Sequence, residues 1–138
     1  MADSKVNVLV ATAEREVYRG EADMLVAPGA AGELGILPKH APLLSALVPG
    51  ELRITSGDQV DEVFISGGFI EVQPDTITVL ADTAERAVDI DEAEALAAQR
   101  RAEEMLESKK GDVDYAMAEA ELAVASARLK VLRKYKKH

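Results

Sequence analysis

Few residues of this chain are spaced for covalent chemistry. His40 stands between Lys39 and Ala41 with no neighbouring candidate to complete a nucleophile and base pair, and Ser45, Ser56 and Ser66 have no Gly-x-Ser-x-Gly setting. The glycine-rich stretch APGAAGELG, residues 27–35, lacks the lysine and hydroxyl that hold phosphates and magnesium in a phosphate-binding loop. Gly67-Gly68 is not a GxGxxG either, and its spacing suits a turn or bulge. Adjacent carboxylates occur at Asp61-Glu62 and Glu103-Glu104, but with 25 acidic residues against 16 basic ones such pairs are expected on solvated faces. The absence of cysteine excludes disulfides and thiol catalysis, and two histidines far apart in sequence argue against a structural zinc site. No catalytic residue and no metal ligand set emerges. Two features of another kind do: a proline-stiffened, charged corner in GELGILPKHAPLL, residues 32–44, and a basic end made of Arg128, Lys130, Arg133, Lys134, Lys136 and Lys137.

The distribution of charge separates these features. The net charge of −9 divides into −8 over residues 1–88, −7 over residues 89–127 and +6 over residues 128–138. An acidic body with one basic tip is a poor match for nucleic acid, which needs a broad cationic surface. The tip suits an acidic protein surface instead. No stretch approaches the roughly 18–20 apolar residues that cross a bilayer, and MADSKVNVLV has no basic segment leading into a sustained apolar run. The expectation is therefore a soluble chain that begins near Met1.

Two regimes must position these residues. Up to about residue 83 the apolar pattern has period two, at Val6, Val8 and Val10, Met24 and Val26, Val63 and Ile65, Ile70 and Val72, and Ile77 and Val79. Turn chemistry recurs between them at Arg19-Gly20, Pro28-Gly29, Pro49-Gly50, Ser56-Gly57-Asp58, Gly67-Gly68 and Pro74-Asp75. Short antiparallel strands in a sandwich or flattened barrel follow. The domain boundaries read as 1–86 for this module and 87–138 for a helical hairpin rich in alanine. In the hairpin, Asp89 or Asp91 caps the first helix, Glu92 and Glu94 occupy its first turn, Gly111 ends it within the bend SKKGD, and Asp112 or Asp114 caps the second helix.

The second helix carries two apolar rows, Val113, Met117, Ala120, Val124, Ala127 and Val131 on one side, and Ala118, Leu122, Ala125, Leu129 and Leu132 nearly opposite. Either both faces are buried at once, between the partner helix and the sandwich, or the two rows serve different partners in different states. The first helix offers mostly alanines, each worth only about 0.8 kcal/mol per buried methyl, so the hairpin is expected to be held weakly enough for a partner to overturn it.

The motifs GELGILPKHAPLL, SGGFIEVQP and VLADTA, with GDVDYAMAEAEL further on, resemble the epsilon subunit of bacterial F-type ATP synthases over essentially the whole chain. The resemblance implies a ten-stranded β-sandwich followed by a two-helix hairpin, and a non-catalytic role in the central stalk. The sandwich would bind the gamma subunit and the ring of c subunits, so the chain would be peripheral to the cytoplasmic face of the plasma membrane and touch it only through that ring. By the same resemblance Glu33 and His40, with Pro38 and Pro42 stiffening the corner, match the rotor contact; the competing structural reading is a tight loop whose Leu37, Leu43 and Leu44 fill the core. The helices would extend along gamma and block ATP hydrolysis, with the six basic residues at 128–137 meeting the beta subunits. Some relatives bind ATP through a motif here reading Ile90-Asp91-Glu92-Ala93-Glu94-Ala95; Glu94 replaces its arginine, and Arg101 and Arg128 match other basic positions, so ATP binding is expected to be weak or absent. No other cofactor is implied. A stand-alone β-sandwich adaptor with a helical tail is the alternative, explaining the periodicities but not the long motif matches.

Overall fold

The computed structural model describes residues 4–108 and 112–137, with side chains given outside residues 112–114. Ten strands, β1 (Val6–Ala11), β2 (Glu16–Ala22), β3 (Met24–Gly29), β4 (Gly32–Ile36), β5 (Leu43–Leu47), β6 (Gly50–Ser56), β7 (Gln59–Ile65), β8 (Gly68–Val72), β9 (Thr76–Ala81) and β10 (Ala84–Arg86), form one sheet folded on itself. Its order is β10-β7-β6-β3-β5-β8-β9-β1-β2, with β4 pairing on β3. Contacts of β2 with β6 and β10 bring the two edges together, so the sandwich is nearly a closed barrel. The pairings are antiparallel except one: β1 runs parallel to β9, from Asn7 opposite Thr76 to Ala11 opposite Leu80.

Period-two burial builds the interior. Val6, Val8 and Val10 of β1, Ile70 and Val72 of β8, and Ile77 and Val79 of β9 are at most 1% exposed. In β3 the buried residues are Leu25 and Ala27, whereas Met24 and Val26 are half-buried on the other face. Both phases of Met-Leu-Val-Ala are apolar, so periodicity alone picks the wrong one here. At the β7–β8 corner Gly68 has φ +143°, and a Cβ there would collide with Leu80 O, which is why this close approach of backbones requires glycine.

A 3₁₀ turn at Ala87–Asp89 leads into α1 (Glu92–Ser108) and α2 (Asp112–Lys136). Of the two candidate caps, Asp91 does the work: its Oδ1 accepts from Glu94 N–H at 3.1 Å. The expected bend at Gly111, and the caps at Asp112 and Asp114, fall outside the described residues or side chains. The two rows of α2 part company. Ala118, Ala125, Leu129 and Leu132 are buried and Leu122 half-buried, whereas Met117 is 55% exposed, Ala120 is exposed, and burial of that row arrives only at Val131. The sandwich reaches only the C-terminal half of α2, so the reading in which both faces are covered along the whole helix does not hold.

Candidate functional site

The hairpin is seated by apolar contact and by ion pairs. Leu129, Val131 and Leu132 of α2 pack with Phe64 of β7, Ala87, Ile90 and Ala95. Phe64 lies out of phase with the buried pair Val63 and Ile65 and is 3% exposed, because α2 covers the outer face of β7. At roughly 1.5–3 kcal/mol for each large side chain, these contacts give α2 a firmer hold on the sandwich than the alanine-rich α1 contact supplies.

Arg128 joins three elements. Its Nε donates to Glu85 Oε1 of β10 at 2.9 Å, and Nη2 donates to Glu85 Oε2 at 3.3 Å and to Glu94 Oε1 of α1 at 3.2 Å. The Arg128 side chain is 13% exposed and Glu94's is 65% exposed, so Glu85, at 27%, is the stronger partner. Burial works against the guanidinium's charge, but hydrogen bonding and charge from Glu85, followed by Glu94, outweigh it and raise the pKa. Lys134 Nζ donates to Glu51 Oε1 at 3.0 Å, and Lys136 pairs with Glu92.

Half of the basic end is therefore engaged. Lys130, Arg133 and Lys137 form no ion pair with the described residues, whereas Arg128, Lys134 and Lys136 hold the docked hairpin. The acidic partners Glu85, Glu51 and Glu92 carry no sequence signal as such, since they come together only when α2 lies across β6, β7 and α1.

The residues of the expected nucleotide motif gather at the same place. Ile90 and Ala95 are buried, Asp91 is spent on capping, and Arg101 and Arg128 line a shallow groove with Ala98, Met105, Ala120 and Val124. Glu94 places its carboxylate on Arg128, so that guanidinium already has an anion.

The proline corner is two places, not one. Gly32–Ile36 is strand β4, in which Leu34 and Ile36 alternate inward, while Leu37–Pro42 is the loop at its far end. Glu33, opposite Pro28, sits at the hairpin end and lines a cleft with Pro49, Gly50, Ala127 and Lys130. His40 lies beyond the opposite end of β4, where Lys39 N–H donates to Pro74 O at 2.8 Å. A five-residue strand spans about 17 Å, so Glu33 and His40 do not share one contact point. His40 Nδ1 donates to Ala41 O at 2.7 Å and orders the loop locally. Lys39 adopts φ +64° between Pro38 and His40. The competing core-filling reading fails for Leu37 and Leu44, which are 58% and 73% exposed.

Leu44 shares the outward face of β5 with Ala46 and so adjoins an apolar face. Ala46 of β5 lies opposite Phe69 of β8, Phe69 opposite Leu80 of β9, and Leu80 beside Ala11 of β1. Phe69 and Leu80 are 58% and 59% exposed. A continuous outward apolar row of this kind, across four strands, is larger than the scattered single apolar residues usual on a soluble surface.

Residues 5–87 match the family described as "ATP synthase, Delta/Epsilon chain, beta-sandwich domain", and residues 89–133 match "ATP synthase, Delta/Epsilon chain, long alpha-helix domain". The chain belongs to the ATP synthase delta/epsilon chain family. Among curated members, the "ATP synthase epsilon chain" of Acidithiobacillus ferridurans is 54% identical over 129 residues, covering 94% of this chain and 92% of its own length. That of Nitrosococcus oceani is 52% identical over 133 residues, covering 96% and 95%. The fold recurs in a chain of the Euglena gracilis mitochondrial ATP synthase (OSCP/F1/c-ring), with TM-score 0.80, 19% identity, and coverage of 98% of this chain and 82% of that one. It recurs again in the central stalk and c-ring of the Tetrahymena thermophila mitochondrial enzyme, with TM-score 0.61, 19% identity, and coverage of 96% and 99%. The resemblance read from the epsilon-type motifs is thus the family itself, and the sandwich and two helices are its two modules. Among the described residues no helix is long and apolar enough to cross a membrane.

Proposed function

We propose that the chain is a non-catalytic central-stalk subunit that couples c-ring rotation to ATP synthesis carried out elsewhere in the complex, and that its helices restrain ATP hydrolysis. The observation that carries this reading is the match of both modules, end to end, to relatives named ATP synthase epsilon chain. The face built from Ala46, Phe69 and Leu80 is the contact for the gamma shaft, and the exposed Leu44 extends it towards the loop that Pro38 and Pro42 stiffen around His40. Prolines lower the ordering cost of such a contact because their φ is already set. The hairpin turn before Glu33, at the other end of β4, is the contact for the c ring. Through these two contacts the subunit is held at the cytoplasmic face of the membrane without entering it.

Restraint of hydrolysis follows from how α2 is used. Met117 and Ala120 are exposed, and Lys130, Arg133 and Lys137 form no ion pair within contact distance among the described residues, so an extended α2 presents an apolar face and a basic end to gamma and the acidic surface of the beta subunits. Regulatory ATP has no role in this reading, since Glu94 occupies Arg128. Removing residues 87–138 tests it: ATP hydrolysis by the assembled complex rises while the complex still forms. Unchanged hydrolysis overturns the restraint, and failure of the sandwich alone to bind gamma overturns the stalk role.

A further inference from the structure

Beneath the end of α2, two carboxyl groups meet on the outer face of β6 and β7. Glu51 lies diagonal to Glu62, which stands directly opposite Arg53. Glu51 Oε1 takes Lys134 Nζ at 3.0 Å and has Arg53 Nε at 3.7 Å, but Oε2 is buried and has no partner. A buried carboxylate oxygen without a donor is costly. Two carboxylates cannot hydrogen-bond each other, but a protonated Glu62 can donate to Glu51 and so supply the donor that Oε2 lacks. We propose that Glu51 and Glu62 share one proton under α2, taken up as the hairpin docks, so that docking of the helices on the sandwich is governed by pH. This rests on the reading of a movable hairpin and adds a proton to what moves it.

The charges around the pair decide the direction. Burial, then the hydrogen bond and negative charge of Glu51, push the Glu62 carboxyl up to about 7 from the model-compound value of 4.5; Lys134 of α2 and Arg53 of β6 oppose this and lose. Tyr135 and Lys136 of α2 and Asp58 of the β6–β7 turn line the same cleft. Asp61, the neighbour on β7, points away to Arg86, with Nη2 donating to Oδ1 at 2.8 Å. When α2 lifts, water reaches Glu51 Oε2, the main cause of the shift is relieved, and Glu62 returns towards an ordinary carboxyl. The docked state is thus the one that holds the proton. Its advantage is full below the ordinary carboxyl range and falls by up to tenfold for each pH unit as pH rises from 4.5 to about 7; above that it is flat.

The chain has no cysteine, so a donor and acceptor dye can be placed uniquely at exposed Glu71→Cys on β8 and Glu119→Cys on α2. Energy transfer in the full chain is followed from pH 4.5 to 8.5, alongside the carbon-13 titration of the Glu62 carboxyl. The expected result is a docked fraction that falls with pH in step with a Glu62 titration well above the ordinary carboxyl range. Glu62→Gln, whose amide donates to Oε2 permanently, should abolish the pH dependence and keep the helices docked at pH 8. An ordinary Glu62 titration overturns the proposal, as does a pH response that survives Glu62→Gln. If Arg128→Ala moves the dyes but pH does not, proton control fails and the movable hairpin stands. If neither moves them, the movable hairpin fails and the proposal goes with it.

Discussion

Arg128→Ala is the sharpest test of how the hairpin is latched. The substitution removes two hydrogen bonds to Glu85 and one to Glu94, leaving Glu85 half-buried with no cation in hydrogen-bond reach. A hydrogen bond to a charged group in a partly buried setting contributes about 1.5–3 kcal/mol, and the two to Glu85 act as one bidentate unit. The contact with Glu94, 65% exposed, adds about 0–1 kcal/mol once solvent screening is counted. The expected loss is therefore about 2–3 kcal/mol of docking free energy, or roughly 30- to 150-fold in the ratio of docked to undocked hairpin. Energy transfer between the sandwich and α2 reads this directly, while thermal unfolding of the sandwich core stays nearly unchanged, since Arg128 does not reach it. A double-mutant cycle then apportions the effect, with larger coupling of Arg128 to Glu85 than to Glu94. A docked fraction unaltered by Arg128→Ala, or a larger coupling to Glu94, would refute the assignment of the latch.

Leu129→Ala should cost about 2–5 kcal/mol, read as faster amide exchange along α2 with the strands of the sandwich still protected. Phe69→Glu should abolish pull-down of the chain by gamma while leaving its thermal unfolding within a few degrees of the parent, because Phe69 points outward from β8. Gly68→Ala should lower the unfolding temperature by more than any exposed substitution, at a cost of about 1–3 kcal/mol in backbone strain plus the collision with Leu80 O. Calorimetry with ATP at millimolar concentration should show no heat of binding; saturable binding would show that Glu94 yields Arg128 to a phosphate.

The sandwich was readable because its strands mostly cover one face. In β1, β8 and β9 the period-two valines and isoleucines are the buried residues, although the outward positions also hold apolar Leu9, Phe69 and Leu80. The pattern fails where both faces are covered or both phases are apolar, as at Phe64 under α2 and at Met24 and Val26 in β3. The parallel pairing of β1 with β9 leaves no local signature, since it joins residues nearly 70 positions apart. At the candidate site the chemical types were visible and the pairings were not. Asp61-Glu62 looked like one solvated acidic patch, yet a strand turns its neighbours to opposite faces: Asp61 goes to Arg86 and Glu62 under the helix. The basic end looked free for the same reason. Its partners Glu85, Glu51 and Glu92 lie 43, 83 and 44 residues away, a distance that no helical or strand period reports.

The rung-by-rung match of the first strand with the ninth sets an order of events during synthesis. Until residues 76–81 leave the ribosome, Val6, Val8 and Val10 have one strand neighbour instead of two, and the barrel-like body stays open along that seam. Long-range closure of this type is slow and leaves sticky edges in the meantime. The helices follow in sequence, so the sandwich closes before the hairpin can dock on it.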